Sequence, residues 1–222
     1  MHIDVVQKVM KLNDELAAGV RERLRAANVA AVNLISAPGS GKTSLIECAL
    51  RSVDGRVRVG VLEGDPDTTL DAERVAACGV PVVQIQTAGG CHLEAHLVAR
   101  ALDRLPLDDI DLLVVENVGN LVCPVDFDLG ESARAAIVSV AEGHDKPAKY
   151  PKLFRTTDTV VLNKIDLLPY VDFDETKFME YVRCINPRAR ILRTSCRSGD
   201  GVAAWTDWLA SIAARTAQAP AT

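Results

Sequence analysis

The chain has 222 residues, 48% hydrophobic and 25% charged, with a formal net charge of −5. A chain of this length makes one large domain or two small ones and buries a core without disulfides or a structural metal. The acidic balance excludes a general nucleic-acid binder; no apolar run nears the roughly 20 residues of a membrane span, and the opening MHIDVVQKVMKLNDEL, without the apolar stretch of a signal peptide, points to the cytoplasm.

Residues 3–27 predict an amphipathic helix, with Val5, Val9, Leu12, Leu16, Val20 and Leu24 at three- and four-residue steps. Asp4 offers its N-cap and Asn28 its stop. Short apolar, β-branched runs follow at 30–36, 57–63, 80–86, 111–117, 135–141, 159–164 and 189–195. Helical patterns lie between most of them: one after the first run to about Val53, then 68–78, 91–104, 173–185 and 201–215. Strands apolar on both faces and separated by helices predict a doubly wound, mostly parallel α/β sheet. The expected layout is a helix over 1–28 packed on the domain, a nucleotide-binding domain over 29–216 and a flexible tail over 217–222. The six cysteines form no CxxC pair; Cys48, Cys78 and Cys184 read as reduced, buried small hydrophobes.

Between the first strand and its helix stands Ser36-Ala37-Pro38-Gly39-Ser40-Gly41-Lys42-Thr43, followed by Ser44. This is a Walker A pattern with Ser36 in place of the first glycine. Small residues let backbone N–H groups wrap a phosphate, and the helix start adds positive charge. Lys42 would reach the β/γ-phosphates, and the Thr43 hydroxyl would bind Mg²⁺. The plainer alternative, a glycine-rich turn, does not explain the strand–loop–helix setting. At the end of a later strand, Asn163-Lys164-Ile165-Asp166 is similar to the NKxD element of GTPases. The Asp166 carboxylate can accept from guanine N1–H and N2–H₂, donors that adenine lacks. Asn163 would tie the base site to the phosphate loop and Lys164 would pack along the ring. Thr194-Ser195-Cys196 resembles the last base-contacting loop. Together these favour GTP over ATP and disfavour an ATP-dependent small-molecule kinase.

Glu63-Gly64-Asp65-Pro66-Asp67 ends the second strand, and Glu116-Asn117-Val118-Gly119 the fourth. Carboxylates at the C-terminal ends of parallel strands face the ligand crevice. Asp65, Asp67 and Glu116 are thus candidates for the Mg²⁺ site or for orienting the attacking water, with Asp67 equally suited to capping the next helix. Glu116–Gly119 resembles a DxxG switch with Glu for Asp, and Gly119 could offer its N–H to a γ-phosphate. No glutamine follows Gly119, so slow intrinsic hydrolysis is expected. Lys146 and Lys149 are candidates to assist in trans, against a reading as a solvated loop.

Gly89-Gly90-Cys91-His92-Leu93-Glu94-Ala95-His96 and Leu121-Val122-Cys123-Pro124 supply thiols and imidazoles, ligands suited to Ni²⁺ or Zn²⁺. Cys91, His92 and Cys123 are the candidate set, with His96 a further one at i+4 from His92. Cys123 lies four residues beyond Gly119, at most roughly 14 Å of extended chain. A rearrangement of 116–119 on hydrolysis should therefore displace it, and a symmetric dimer could complete so small a ligand set.

With APGSGKT, LEGDPDTTLDAERV, GGCHLEAH, VVENVGNLVCPVDFDLGE, EGHDKPAKYP and VLNKIDLLPY in place, the chain resembles the HypB family over essentially its whole length. These are GTPases that help insert nickel during [NiFe]-hydrogenase maturation. The resemblance implies a SIMIBI-class P-loop fold, GTP/GDP binding, and Ni²⁺ or Zn²⁺ at Cys91, His92 and Cys123. It also implies GTP- and metal-dependent homodimerisation, a HypA-like nickel metallochaperone as partner, and delivery to the hydrogenase large subunit. Many members carry an N-terminal CxxCGC motif or a histidine-rich stretch. Here only His2 and no cysteine precedes Cys48, so no tight nickel site is expected at that end. Two readings compete: a UreG-like urease accessory GTPase, against which Val125 follows Cys123-Pro124 where a histidine belongs, and a GTP-gated metal-binding module with negligible hydrolysis.

Overall fold

The computed structural model describes residues 5–217; the expected cap Asp4 and residues 218–222 of the expected tail lie outside them. In chain order the elements are α1 (Val5–Ala26), β1 (Ala30–Ser36), α2 (Lys42–Ser52), β2 (Val59–Asp65), α3 (Leu70–Ala76), β3 (Val82–Gln86), α4 (Ala95–Leu102) and β4 (Leu112–Glu116). Then come β5 (Ala133–Ser139), α5 (Lys146–Lys149), α6 (Pro151–Arg155), β6 (Thr159–Asn163), α7 (Glu175–Ile185), β7 (Arg190–Arg193) and α8 (Val202–Ala217). The sheet runs β3-β2-β4-β1-β5-β6-β7, and every pairing is parallel. Among the described residues no helix is long and apolar enough to cross a membrane.

The central strands are buried on both faces, which is why AAVNLIS, LLVVE and TVVLN are continuous apolar runs rather than alternating ones. On one face α2 and α8 pack Leu45, Ile46, Trp205, Leu209 and Ile212 onto the sheet. On the other, α1 and α4 pack Val20, Leu24, Val98 and Leu102. Phe154, Phe178 and Val182 close the β5–β6 end. Parallel register sets Glu63 beside Glu116 and Leu34 beside Glu116, so the C-terminal edges of β1, β2 and β4 form one rim.

Several boundaries move for identifiable reasons. The strand expected over 135–141 ends at Ser139, where Ser139 and Glu142 form a capping box that turns the chain. The helix expected from 91 starts only at Ala95; residues 91–94 form a loop in which the Leu93 N–H bonds to the distant Asn117 side chain. The segment around Lys146 and Lys149 is not plain loop: Pro147 and Pro151 sit in the first turns of α5 and α6. Asn28, at φ 56°, ends α1 as anticipated.

The apolar stripe of α1 divides. Val20 and Leu24 are buried, but Val9, Leu12 and Leu16 are exposed, and the inward face is Asn13, Ala17, Val20 and Leu24. The cysteine expectation also fails in part: Cys48 and Cys78 are half-buried and Cys184 is exposed on α7. Cys78, two residues past α3, instead turns its thiol back to the Arg74 carbonyl of that helix at 3.8 Å.

Trp205 is fully buried and its indole N–H donates to the Leu45 carbonyl at 3.1 Å, pinning α8 to α2. Trp205→Ala is expected to cost about 3–5 kcal/mol, read as a lower urea midpoint at unchanged slope.

Candidate functional site

The phosphate loop leaves β1 at Ser36 and enters α2 at Lys42. Gly39 and Gly41 adopt positive φ, 73° and 101°. At Gly41 a Cβ would lie 2.5 Å from Asn163 Nδ2, so only glycine fits. That amide donates to the Ser40 carbonyl at 2.9 Å, while Asn163 Oδ1 accepts from the Thr194 hydroxyl at 3.0 Å. Lys164, in the left-handed region, donates from Nζ to the Gly39 carbonyl at 2.6 Å. Lys42 is buried and donates to Ser36 Oγ at 3.0 Å, which gives the departure from the Walker glycine a definite contact. Burial holds its ammonium below the ordinary lysine range against the pull of Glu116 and other carboxylates.

Gly39, Gly41, Lys42 and Lys164 line an open cleft of about 450 Å³ with Thr43, Ser44, Glu63, Asp65, Asp71, Arg74, Glu116 and Gly119. Gly119 lies against the loop so closely that a Cβ would meet Pro38 Cα at 2.9 Å. The Thr43 hydroxyl donates to Glu116 Oε1 at 2.9 Å. Asp65 Oδ1 accepts the N–H groups of Asp67 and Thr68 at 2.8 and 2.6 Å, so Asp65 shapes the turn and Asp67 points into solvent outside the cleft. At the base end, the Ser195 hydroxyl donates to Asp166 Oδ1 at 2.6 Å. Cys196 follows, its thiol pushed up to about 12 by burial and the adjacent Cys48.

Residues not singled out from sequence complete this rim. Glu63 and Asp71 bring carboxylate oxygens within 4.8 Å of one another and of Asp65. Arg74 bridges Glu47 at 2.7 Å, Asp71 at 2.9 Å and Ser44 at 3.3 Å. Glu142 accepts from the Ser40 hydroxyl at 2.6 Å. Glu63 stood visibly in LEGDPD, two positions before Asp65; the others carry no local signal. Glu63 Oε2 and Glu116 Oε2 are buried without partners. Burial, then the neighbouring Glu116 charge, pushes Glu63 up to about 8; burial pushes Glu116 up to about 7 against the pull of Lys42. Orphaned hard oxygens on a buried rim fit a divalent cation of the magnesium type.

About the loop before α4, the Cys91 and Cys123 thiols and the His92 imidazole bring their ligand atoms within 4.8 Å of one another. Cys91 Sγ is 3.5 Å from His92 Nδ1. The His92 ring stacks on Phe127 with centroids 4.0 Å apart, and Glu94 Oε1 lies 3.6 Å from its Nε2. His96 is turned to Glu94 Oε2 at 3.3 Å and does not join the cluster, because residue 92 precedes the helix and the i, i+4 relation does not apply. The shared hydrogen bond with Cys123 raises the Cys91 thiol above its ordinary value, and burial lowers His92. A neutral imidazole beside two thiols is a soft-to-borderline ligand set.

One amide joins cleft and cluster. Asn117 is buried directly after Glu116; its Oδ1 accepts from Leu93 N–H at 3.1 Å and Val118 N–H at 3.0 Å. Its Nδ2 donates to Asn33 Oδ1 on β1 at 3.2 Å. Lys146 and Lys149 are occupied locally, over the Tyr150 ring at 5.5 Å and on Asp145 at 2.5 Å.

The raised carboxyls set a sign. In the unfolded chain Glu63 and Glu116 titrate near 4.5, in the folded chain near 8 and 7, so between these values the fold binds more protons. Their contribution to stability is full at low pH and is lost as pH rises through about 7–8. Thermal unfolding of the protein without nucleotide, in chelator, is expected to show a midpoint falling from pH 6 to 8.5. Glu63→Gln is expected to flatten that fall.

The family described as CobW/HypB/UreG, nucleotide-binding domain, matches residues 30–193. Hydrogenase maturation factor HypB of Azotobacter vinelandii is 49% identical over 207 residues, 92% of this chain and 68% of that protein. The crystal structure of HypB from Helicobacter pylori in complex with nickel is similar at 34% identity and TM-score 0.88, over 95% of this chain and 99% of that one. The signal recognition particle 54 kDa protein of Aeropyrum pernix in complex with GDP shares the fold, at TM-score 0.59 and 15% identity over 85% of this chain and 47% of that one.

Proposed function

This chain belongs to the HypB family of hydrogenase maturation GTPases, and from that premise we propose that it couples GTP turnover to the handling of nickel cargo at Cys91, His92 and Cys123. The fold is that of a SIMIBI-class P-loop GTPase. The observation that carries the reading is a single stretch of chain: Glu116–Gly119 lines the cleft, Asn117 bonds to Leu93 beside His92, and Cys123 ends the stretch in the thiol cluster.

In this reading the N–H groups of Gly39, Ser40, Gly41 and Ser44 cradle the phosphates. Lys42 leaves Ser36 for the β/γ-phosphate oxygens. Asp166 exchanges the Ser195 hydroxyl for guanine N1–H and N2–H₂, Lys164 packs along the ring, and the Ser195–Cys196 turn meets O6. Thr43, Asp65 and Glu116 would hold Mg²⁺, which when bound would screen the phosphate charge. Glu63 and Asp71 stand behind that set. Asp67, outside the cleft, has no catalytic part. Gly119 gives its N–H to the γ-phosphate; loss of that phosphate frees 116–119 and shifts both Leu93 and Cys123. Nucleotide state then changes nickel affinity, and linkage requires the reverse. With no glutamine after Gly119, intrinsic hydrolysis is slow.

Two thiols and one imidazole leave a fourth position open on a tetrahedral ion. We assign its completion to a second copy of the chain, with zinc a competing ion. A HypA-like metallochaperone and the hydrogenase large subunit are the partners that such cargo handling requires.

Phosphate release from GTP is expected to fall by at least about a hundredfold in Lys42→Ala. Asp166→Asn is expected to erode GTP-over-ATP preference by about a hundredfold; unchanged selectivity would remove the base assignment. Sedimentation with a non-hydrolysable GTP analogue and Ni²⁺ should give a dimer. A monomer under all nucleotide and metal conditions would end the dimer reading.

A further inference from the structure

A buried amide on a surface helix is costly unless both of its ends are paired. Asn13 on α1 is 3% exposed and both ends are used. Its Nδ2 donates to the Asp128 carbonyl at 2.8 Å, and its Oδ1 accepts the Ala95 N–H at 2.9 Å. Ala95 is the first residue of α4, three positions past His92. Its N–H is one of the donors that a helix start leaves unpaired. Asp128 lies five positions past Cys123 and follows Phe127, the residue stacked on the His92 ring. One side chain therefore joins the two segments that carry the thiols and the imidazole, without a hydrogen bond to any of the three.

The surroundings reinforce the bridge. Arg21 of α1 holds the Asp128 carboxylate through both oxygens at 2.7–2.8 Å. Gly130 passes so near α1 that a Cβ would lie 2.8 Å from the Ala17 carbonyl. Asn117 fixes the same cluster from the nucleotide side, but only through Leu93. The Cys123 loop is tied to α1 at Asp128, and is held besides by Arg134 of β5 on the Val125 and Phe127 carbonyls and by Lys152 of α6 on Asp126.

We propose that Asn13 is a positioning residue for the Cys91–His92–Cys123 cluster: its amide fixes the spacing of the two ligand loops, so that α1 sets the cluster's affinity for a thiolate-seeking divalent ion. This rests on reading the cluster as a nickel site. Groups just outside a ligand set typically change metal affinity by about 10–100-fold.

The test is Ni²⁺ titration of the full chain against a chromophoric chelator, with the thiolate-to-nickel charge-transfer absorption followed in parallel. Asn13→Ala should weaken Ni²⁺ binding by about tenfold or more and change the absorption per bound ion, with GDP affinity within about twofold of the wild type. Asn13→Asp keeps the acceptor for Ala95 and loses the donor to Asp128, so its affinity should fall between the two. Leu24→Ala loosens α1 without touching either bond; it should lower the thermal midpoint and leave Ni²⁺ affinity within about twofold. Cys91→Ala separates the two readings. Wild-type Ni²⁺ binding in Cys91→Ala removes the cluster itself. Loss of binding there, with Asn13→Ala and Asn13→Asp both binding as the wild type, overturns the role of Asn13 alone. An equal loss in Leu24→Ala overturns it too, because helix docking in general would then be the cause.

Discussion

The Asn117 amide is the joint on which the rest of the molecule turns. It sits at the end of β4, directly after the carboxylate that accepts from Thr43, and it holds the loop that carries Cys91 and His92. Both its ends are buried and paired, and Asn33 on β1 anchors its amino group. A buried amide cannot leave its partners without a penalty of about 1–3 kcal/mol per orphaned group. Any displacement of 116–119 must therefore carry Leu93 along or break a bond that the low-dielectric interior makes strong. The sheet supplies the fixed reference: β1 is gripped by neighbours on both sides, so the movable parts are loops at one edge.

That edge is deliberately uncomfortable. Parallel register puts Glu63 beside Glu116, both buried, each with an oxygen that no protein donor satisfies. Lys42, itself desolvated, offsets part of the charge. A fold selected for stability alone would place apolar residues there. The arrangement is an acidic rim facing a lysine-bearing phosphate loop, a hard-oxygen donor set that fits a divalent cation. The soft cluster beside it has the opposite chemistry, sulfur and imidazole instead of carboxylate.

Much of this was legible in the sequence because it is local. The phosphate loop, NKID and the apolar strands announce themselves through spacing, and the parallel sheet follows from strands without alternation. Cys91, His92 and Cys123 were readable as residue types, but their clustering needed the fold. What escaped depended on partners far along the chain. The apolar spacing of α1 sets Val9, Leu12 and Leu16 on one stripe with Val20 and Leu24, yet the helix turns Asn13 and Ala17 inward in place of the first three, because a distant carbonyl and a distant N–H make an asparagine affordable in the core. His96 seemed to share a face with His92 only on the assumption that the helix began four residues early. Glu142 and Arg74 reach the site across more than 25 residues of sequence, and no short-range pattern marks either.

Asn163, the last residue of β6, and Lys164 directly after it both hold carbonyls of the phosphate loop, and Gly41 is packed against the Asn163 amide. The cradle is thus cast by the protein alone, as a mould rather than a melt. An arriving nucleotide surrenders its own freedom but asks the chain to give up little. The same bracing makes purine and triphosphate subsites one rigid caliper: a ligand seated wrongly at one jaw cannot be accommodated by flexing the other.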